Sequence, residues 1–383
     1  MMKKILIYNS FSNMMPELIV WMIYLQNFGW HIAEIAILQG VFTFFSAIFE
    51  LPSGIIADKI GYKRALQLGE LICIFYLISY FFPYNHIVVY IGFVCFALGL
   101  SLISGTDTSL LYNITNDNKF LKYMGFFNSL GILSVAFGNL IGGWLAEKSW
   151  IVLFLISILF RVVALICITL FDTPKTTRAD SITEKNKAIK LYVKRLYDFV
   201  RMKRTFKYIL ISSAFLMSSV TLSYQYMPVV LKQLKIATGH VSLIYAVVSV
   251  LGALLSFFSA KLTNRLSSRV VAFTIFFISS LLFVGLGIFP YHSIITILCF
   301  MIPNILYELL SVIIDSAVHE DLIDDIRASS ISLINFVNSI LLAAGSLLVS
   351  LLSNLLNLQI TLCLICTTLM LLSLLSYIEY GKK

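Results

Sequence analysis

The sequence predicts an all-α membrane protein with twelve transmembrane helices in two six-helix halves and both termini cytoplasmic. Three observations lead there. The 383 residues are 59% hydrophobic and 12% charged, with mean hydropathy +0.93. Soluble domains are about 45–50% apolar and about 25% charged. The apolar residues gather into runs of about 20, the length a helix needs to cross a bilayer. Lys and Arg crowd into alternate links between those runs, which sets a sidedness.

The first run, 5–27, follows the start "MMKKILIYNSF", which has the basic end of a secretory signal. The apolar stretch continues past Trp21 and Tyr24 and no small-residue cleavage site follows, so it reads as a retained span. The next five runs lie at 34–55, 64–82, 87–112, 123–146 and 150–171. Their links are short, which makes successive spans antiparallel neighbours. From Asp172 to Lys207 the chain turns polar, with eleven Lys or Arg against four Asp or Glu. The chain therefore divides into residues 1–171, a basic cytoplasmic linker at 172–205, and residues 206–383. Within the linker Ile189, Tyr192, Leu196, Phe199 and Val200 fall near one helical face, the pattern of an amphipathic helix lying on the membrane. Six more runs follow at 206–230, 239–261, 269–289, 292–317, 328–352 and 358–378.

With the N-terminus inside, the inner links hold seven Lys or Arg before Gly125, eleven in the linker region, four between Lys261 and Arg327 and two at the C-terminus, 24 of the 28 in the chain. The outer links hold only Lys148, Lys232 and Lys235, and Arg161 lies within a span. That asymmetry places both termini in the cytoplasm and the chain in the cell membrane as a multi-pass protein.

Several functions are excluded. The net charge of +9 comes from cytoplasmic links and not from a basic stripe of the kind a nucleic-acid reader needs. All six cysteines sit in apolar runs, and the Cys363–Cys366 pair has no second thiol pair, so they read as small apolar filler. There is no GxxxxGK[ST] phosphate loop. "AVHED" holds His319 and Glu320 without a second His at i+4, and no serine-protease context surrounds an intramembrane serine. Asp107 and Asp315 have no context that makes them a catalytic dyad. The chain reads as no enzyme, with no cofactor and no metal.

The link between the second and third runs, within "ELPSGIIADKIGYKRAL", is too elaborate for a plain turn. Gly54, Ile56, Ala57, Asp58, Lys59, Gly61, Lys63 and Leu66 fall on the pattern G-x-L-A-D-R-x-G-R-K-x-x-L, and the lead-in matches E-x-P-[ST]-G. Tyr62 stands where a base is usual, with Arg64 beside it. On these residues the chain resembles the major facilitator superfamily, in particular bacterial drug-efflux members. The loop after Gly252, "SAKLTNRLSSR", is a worn copy that lacks the Asp, as an old duplication of a six-span half would leave. In the fifth run Gly125, Ser134, Gly138, Asn139, Gly142 and Gly143 occupy the places of that superfamily's antiporter motif, with Ser134 and Asn139 replacing a Gly and the Pro. Tight helix packing explains the same small residues. Cys95 stands where drug–proton antiporters carry an Arg in span four.

The resemblance implies a conformational latch made of Gly54, Asp58, Gly61, Lys63 and Arg64. Gly54 would let span two approach another helix, and Gly61 would supply a positive φ. Asp58 would pair with Lys63 or Arg64 and with the start of span eleven, where Ser329 and Ser330 are candidate caps. It also implies that spans one, four, seven and ten line a substrate cavity. Charges near the bilayer centre cost about 2.5–3.5 kcal/mol even on insertion scales, so each is a functional candidate. Asn13, Glu17, Trp21 and Tyr24 share one helical face in span one, and Asn304, Glu308, Ser311 and Asp315 repeat that spacing in span ten. Asp107 lies in span four, and Ser223 and Tyr226 in span seven. The substrate-site candidates are therefore Glu17, Trp21, Tyr24, Asp107, Ser223, Tyr226, Asn304 and Glu308. Arg161 in span six is a candidate ion-pair partner of Glu17 or Asp107, or a structural bridge, the favoured reading, while Glu50 and Glu70, near cytoplasmic span ends where water is close, read as mainly structural.

Burial disfavours the charged form of a carboxyl group, which is what a proton carrier needs. Glu17, Asp107 and Glu308 are the candidates for coupling. The expected function is proton-coupled export of a small lipophilic or cationic compound by a monomer whose partners are substrate, protons and lipid. Uptake of a sugar or other nutrient is the alternative, and a non-transporting receptor a minor one. A triple variant with Gln at 17 and 308 and Asn at 107 is expected to lose gradient-driven transport. Full transport with an unaltered pH profile would contradict the coupling role.

Overall fold

A computed structural model describes residues 2–115, 117–171, 204–258, 267–321 and 327–381, and the described residues form helices and connecting turns with no strand. The chain begins with α1 (Met2–Asn13), a 3-10 turn (Pro16–Ile19) and α2 (Trp21–Asn27). Then come α3 (Ile32–Ile60), α4 (Tyr62–Ser79), α5 (His86–Ile103), α6 (Thr106–Ile114), α7 (Asp117–Lys148) and α8 (Trp150–Thr169). After the linker follow α9 (Arg204–Gln233), α10 (Thr238–Phe257), α11 (Ser268–Ile288), α12 (Ser293–Asp321), α13 (Arg327–Leu352) and α14 (Leu358–Gly381). The linker's expected amphipathic helix, most of the "SAKLTNRLSSR" loop, and the side chains of Asp315, His319, Glu320, Ser329 and Ser330 lie outside the described residues.

Among the described residues nine helical stretches are long and apolar enough to cross a bilayer. They fall on the second, fourth to tenth and twelfth expected spans. Of the other three, the first is interrupted and the third, α4, carries Lys63, Arg64 and Glu70 within its 18 residues. The eleventh has an apolar described part at Phe336–Leu352.

Two spans depart from the continuous helices the sequence predicts. Span one breaks between Asn13 and Pro16, because Pro16 has no N–H for a helical bond and its ring restricts the residue before it. A 3-10 turn carrying Glu17 bridges the gap. Asn13 and Glu17 are therefore not successive points on one helical face. Span four breaks at Ser104 and Gly105, where Gly105 adopts φ +76°, and Asp107 lies in the first turn of the short α6.

The chain divides into two compact units, Met1–Ala179 with Ile236–Ala246, and Asp180–Lys235 with Val247–Lys383. The start of α10 belongs to the first unit. Gly143 of α7 has no side chain where Thr238 and Ser242 press against it, and the Glu147 carboxylate accepts the Gly239 amide at 2.7 Å.

In the first unit α4 packs on α5 and α8, α3 on α5, and α1 on α7 and α8. Small residues set the close approaches. A Cβ on Gly99 would stand 2.7 Å from the Cys73 sulfur and 2.9 Å from the Gly69 carbonyl. A buried aromatic block fills one end. Tyr80 stacks on Phe154 at 4.6 Å, Tyr76 on Phe96 at 4.0 Å, and Trp21 leans on Phe93 at 4.7 Å. In the second unit α9 packs on α14, α12 and α13, and α11 packs on α12 and α14. There serine hydroxyls join the helices. Ser212 donates to the Ser373 carbonyl at 2.9 Å, Ser373 returns a bond to Ser212 at 2.7 Å, and Ser219 donates to the Cys366 carbonyl at 2.8 Å. The six cysteines are free thiols.

Two α7 glycines seat the break in span one. A Cβ on Gly138 would meet the Met15 amide at 3.0 Å, and one on Gly142 would collide with the Pro16 carbonyl. Gly142→Ala is expected to destabilise the purified protein by about 1–3 kcal/mol through overpacking. Gly125→Ala, where a Cβ meets open space, should be neutral or slightly stabilising by helix propensity. Thermal unfolding of both variants in detergent checks the contrast.

Candidate functional site

The strongest concentration of buried charge lies in the first unit, where α1, α4, α8 and the break in span one meet. Arg161 is 2% exposed, Glu70 0% and Glu17 1%. Arg161 donates through Nη1 to Glu70 Oε2 at 2.9 Å, as a buried ion pair. The same Nη1 lies 3.4 Å from the Ser12 hydroxyl, which donates to Glu70 Oε1 at 2.6 Å. The Tyr8 hydroxyl borders the pair from α1. Arg161 therefore pairs with Glu70, not with Glu17 or Asp107. Glu70, read as structural near a span end where water is close, is instead fully buried, because α4 leans against α5 and α8. A counter-ion for Arg161 had to exist, and that need was the signal that could have singled out Glu70. Ser12 had no sequence signal beyond its place on α1.

Glu17 has a different environment. Ser157 of α8, whose hydroxyl donates to the Leu153 carbonyl at 3.1 Å, lies near its carboxyl. Its Oε2 has no hydrogen-bond partner among the described residues, and neither has Arg161 Nη2. Trp21 and Tyr24, expected beside Glu17 on a cavity face, are 6% and 4% exposed and belong to the aromatic block. Tyr24 donates to the Tyr80 carbonyl at 2.6 Å and packs edge-on against Phe154. The reason is the break: the 3-10 turn rotates α2 relative to α1, so the stripe does not continue. Asp107 is half-buried and accepts the Thr108 amide at 2.6 Å.

In the second unit Ser223 and Tyr226 are both fully buried. Ser223 accepts from Asn304 at 3.2 Å, and Asn304 also donates to the Phe300 carbonyl at 2.8 Å. This joins α9 to α12. Glu308, one turn further along α12, is exposed and forms no ion pair among the described residues. Gly252 of α10 faces it, and a Cβ there would stand 2.8 Å from Glu308 Cγ.

The expected latch residues lie where α3 meets α4. Gly61 ends α3 with φ +89° and ψ 144°, a conformation that favours glycine. Gly54 is exposed, and a Cβ there would meet no atom of the described residues within 4 Å. Asp58 accepts from the Tyr62 hydroxyl at 3.3 Å, while Lys63 donates to the Phe171 carbonyl at 2.7 Å. Lys4 donates to the Leu170 carbonyl at 2.8 Å. Both lysines thus satisfy carbonyls at the end of α8, which lack helical partners and attract cations. Lys63 is occupied there and not on Asp58, and Tyr62, foreign to the motif, supplies a donor to the acid. Arg64 is exposed.

A buried ion pair and interrupted spans are features of membrane carriers. The family model of the Major Facilitator Superfamily matches residues 5–346, and the chain belongs to that family. It is a multi-pass membrane protein, and the family points to a transporter rather than an enzyme. Two curated relatives agree. An uncharacterised MFS-type transporter of Bacillus subtilis (strain 168) is 25% identical over 169 residues, 44% of this chain and 41% of that protein. An uncharacterised MFS-type transporter of Methanocaldococcus jannaschii is 25% identical over 266 residues, 67% of this chain and 66% of that protein. The matched stretches span less than half of the first and about two thirds of the second. Among solved structures, the nucleoside transporter NupG superposes with TM-score 0.76 at 15% identity, covering 100% of this chain and 99% of that one. A D-xylose-proton symporter gives 0.75 at 11% identity, covering 99% and 95%. A bacterial homologue of the human lysosomal transporter Spinster gives 0.77 at 14%, covering 98% and 94%. At these identities the likeness is one of fold.

Removing one partner of a buried ion pair costs about 3–5 kcal/mol, whereas replacing both with apolar groups is often neutral. Arg161→Leu is therefore expected to leave little folded protein in membranes. The double variant with Leu at 70 and 161 should recover it. Size-exclusion profiles of fluorescent fusions measure both.

Proposed function

We propose that the chain is a secondary active transporter that moves a small molecule across the cell membrane by alternating access, coupled to protons, with both termini cytoplasmic. The observation that carries the coupling is Glu17. It is a buried carboxyl at the break of span one, with an oxygen that has no hydrogen-bond partner among the described residues. A bare carboxylate in such a place is costly, and taking up a proton removes the cost. Interrupted helices near the membrane centre supply both the backbone polarity and the room for such sites.

Export of a lipophilic or cationic compound is the favoured cargo reading. Asp107 and Glu308 are acids at the interrupted span four and in span ten, and neither forms an ion pair among the described residues. They offer negative charge to a cation. The aromatic support for this reading is smaller than the sequence implied, since Trp21 and Tyr24 are core residues. The α7 glycines likewise serve packing against Met15 and Pro16. Uptake of a sugar or other nutrient is the second reading. It is favoured by the neutral Ser223–Asn304 pair, which suits hydroxyl groups, and by the fold shared with a D-xylose-proton symporter.

The test uses the purified chain in proteoliposomes with an imposed proton gradient. Tetraphenylphosphonium, a lipophilic cation, is expected to be driven out against its gradient, and Glu17→Gln to abolish the dependence on the proton gradient. Gradient-driven gain of a pentose or nucleoside, with no movement of the cation, would replace export by uptake.

A further inference from the structure

The buried charges of the first unit have two ways to pair. Among the described residues, Arg161 spends Nη1 on Glu70 and Ser12, and Nη2 has no partner. Glu17 Oε2 has none either. The two groups lie near one another in the first unit. Ser157, near Glu17, lies four residues before Arg161 and so on the same face of α8. A guanidinium stays charged and presents five N–H groups in a planar fork, so one arginine can serve two carboxylates. Three charges decide the state. With both acids ionised the group sums to minus one, and with one proton bound it is neutral. Away from water the neutral sum is far cheaper. Glu70 has both oxygens bonded, one by Ser12 and one by Arg161. Glu17 keeps a bare oxygen, so the proton belongs on Glu17 in this structure.

We propose that Arg161 is a shared counter-ion, holding Glu70 while Glu17 carries the proton and turning its second amino group to Glu17 when that proton leaves to water. Glu70 and Arg161 are then positioning residues for the proton step, and Ser12 keeps Glu70 satisfied while the arginine is shared. The proposal rests on the reading of Glu17 as proton carrier and adds what governs release. The other titratable groups facing the cluster are Tyr8 from α1, Cys73, Tyr76 and Tyr80 from α4, and Asp107 from α6. Tyrosine and cysteine ordinarily stay neutral near pH 7. Asp107 lies near Tyr8 and Glu70.

Infrared difference spectroscopy of the full chain in lipid, titrated with pH, reads the carbonyl band of protonated carboxyl groups without any substrate. The component that Glu17→Gln removes is the Glu17 proton. In Glu70→Gln, Arg161 is freed for Glu17, and that component is expected to move to lower pH by about 1–3 units, the effect of an opposite charge within about 4–6 Å. The variant should fold, because Glu17 then neutralises Arg161. Ser12→Ala, which conserves charge, leaves Glu70 short of a donor and holds Arg161 on it, so the band should move the opposite way, to higher pH, by less, and it decides alone if Glu70→Gln gives no folded protein. An unmoved midpoint overturns the shared counter-ion. A band that survives Glu17→Gln unchanged overturns instead the reading of Glu17 as proton carrier.

Discussion

The ion pair between Arg161 and Glu70 constrains the first unit more than any other contact. An arginine cannot shed its charge, so a span that carries one must meet an acid or reach water. α8 meets Glu70 on α4, and Ser12 on α1 completes the pair. Three helices are thereby tied in register at one depth. The aromatic block around Phe154 and Tyr80 occupies the same α4–α8 seam and excludes water from it. The helix contacts of the unit follow from these two features: α4 lies against α8 through the ion pair and the rings, and against α5 through Gly69 and Gly99, where backbones come close enough that no Cβ fits.

The interruptions of spans one and four are the second constraint. Breaking a helix within a bilayer exposes amides and carbonyls that lipid cannot satisfy, so a break survives only where protein covers it. Gly138 and Gly142 bring α7 directly onto Met15 and Pro16. The glycines that resemble an antiporter motif therefore have a physical task in this chain whether or not it exports anything. Glu17 and Asp107 both lie immediately after such breaks, at the starts of short helical segments, where N–H groups are unsatisfied and the field is positive. Two acids in equivalent settings, one beside an arginine and one without, give the unit chemically distinct carboxyl groups from similar local structure.

The loop between α3 and α4 shows how one substitution redistributes contacts. A base at position 62 could bind the acid one turn earlier as an ion pair. Tyr62 makes that contact as a neutral hydrogen bond. Lys63 is then available to the α8 end, where Lys4 also binds. The junction joins α1, α4 and α8 at one end of the unit, as Arg161 joins them at its middle.

Composition and run length were enough to read a polytopic helical protein, because lipid demands long apolar helices whatever their partners, and the loop around Asp58 and Gly61 was enough to read its family. The intramembrane residues were legible as costly, and Glu17, Asp107 and Arg161 were legible as worth explaining. Their partners were not. A helical wheel assumes an unbroken helix, and Pro16 and Gly105 each end one, so Trp21 and Tyr24 turned into the core instead of lining a face with Glu17. Nor does spacing along one span say which neighbouring span supplies its counter-ion. That choice rests on how α4 and α8 lean together, which the Gly69–Gly99 contact and the aromatic packing decide in three dimensions. The sequence by itself determined what kind of molecule this is and which charges the membrane would not tolerate alone; only the tertiary structure decided that Glu70 neutralises Arg161 and that Glu17 is left with an oxygen to spare, because pairing of buried charges depends on distances between helices far apart in the chain.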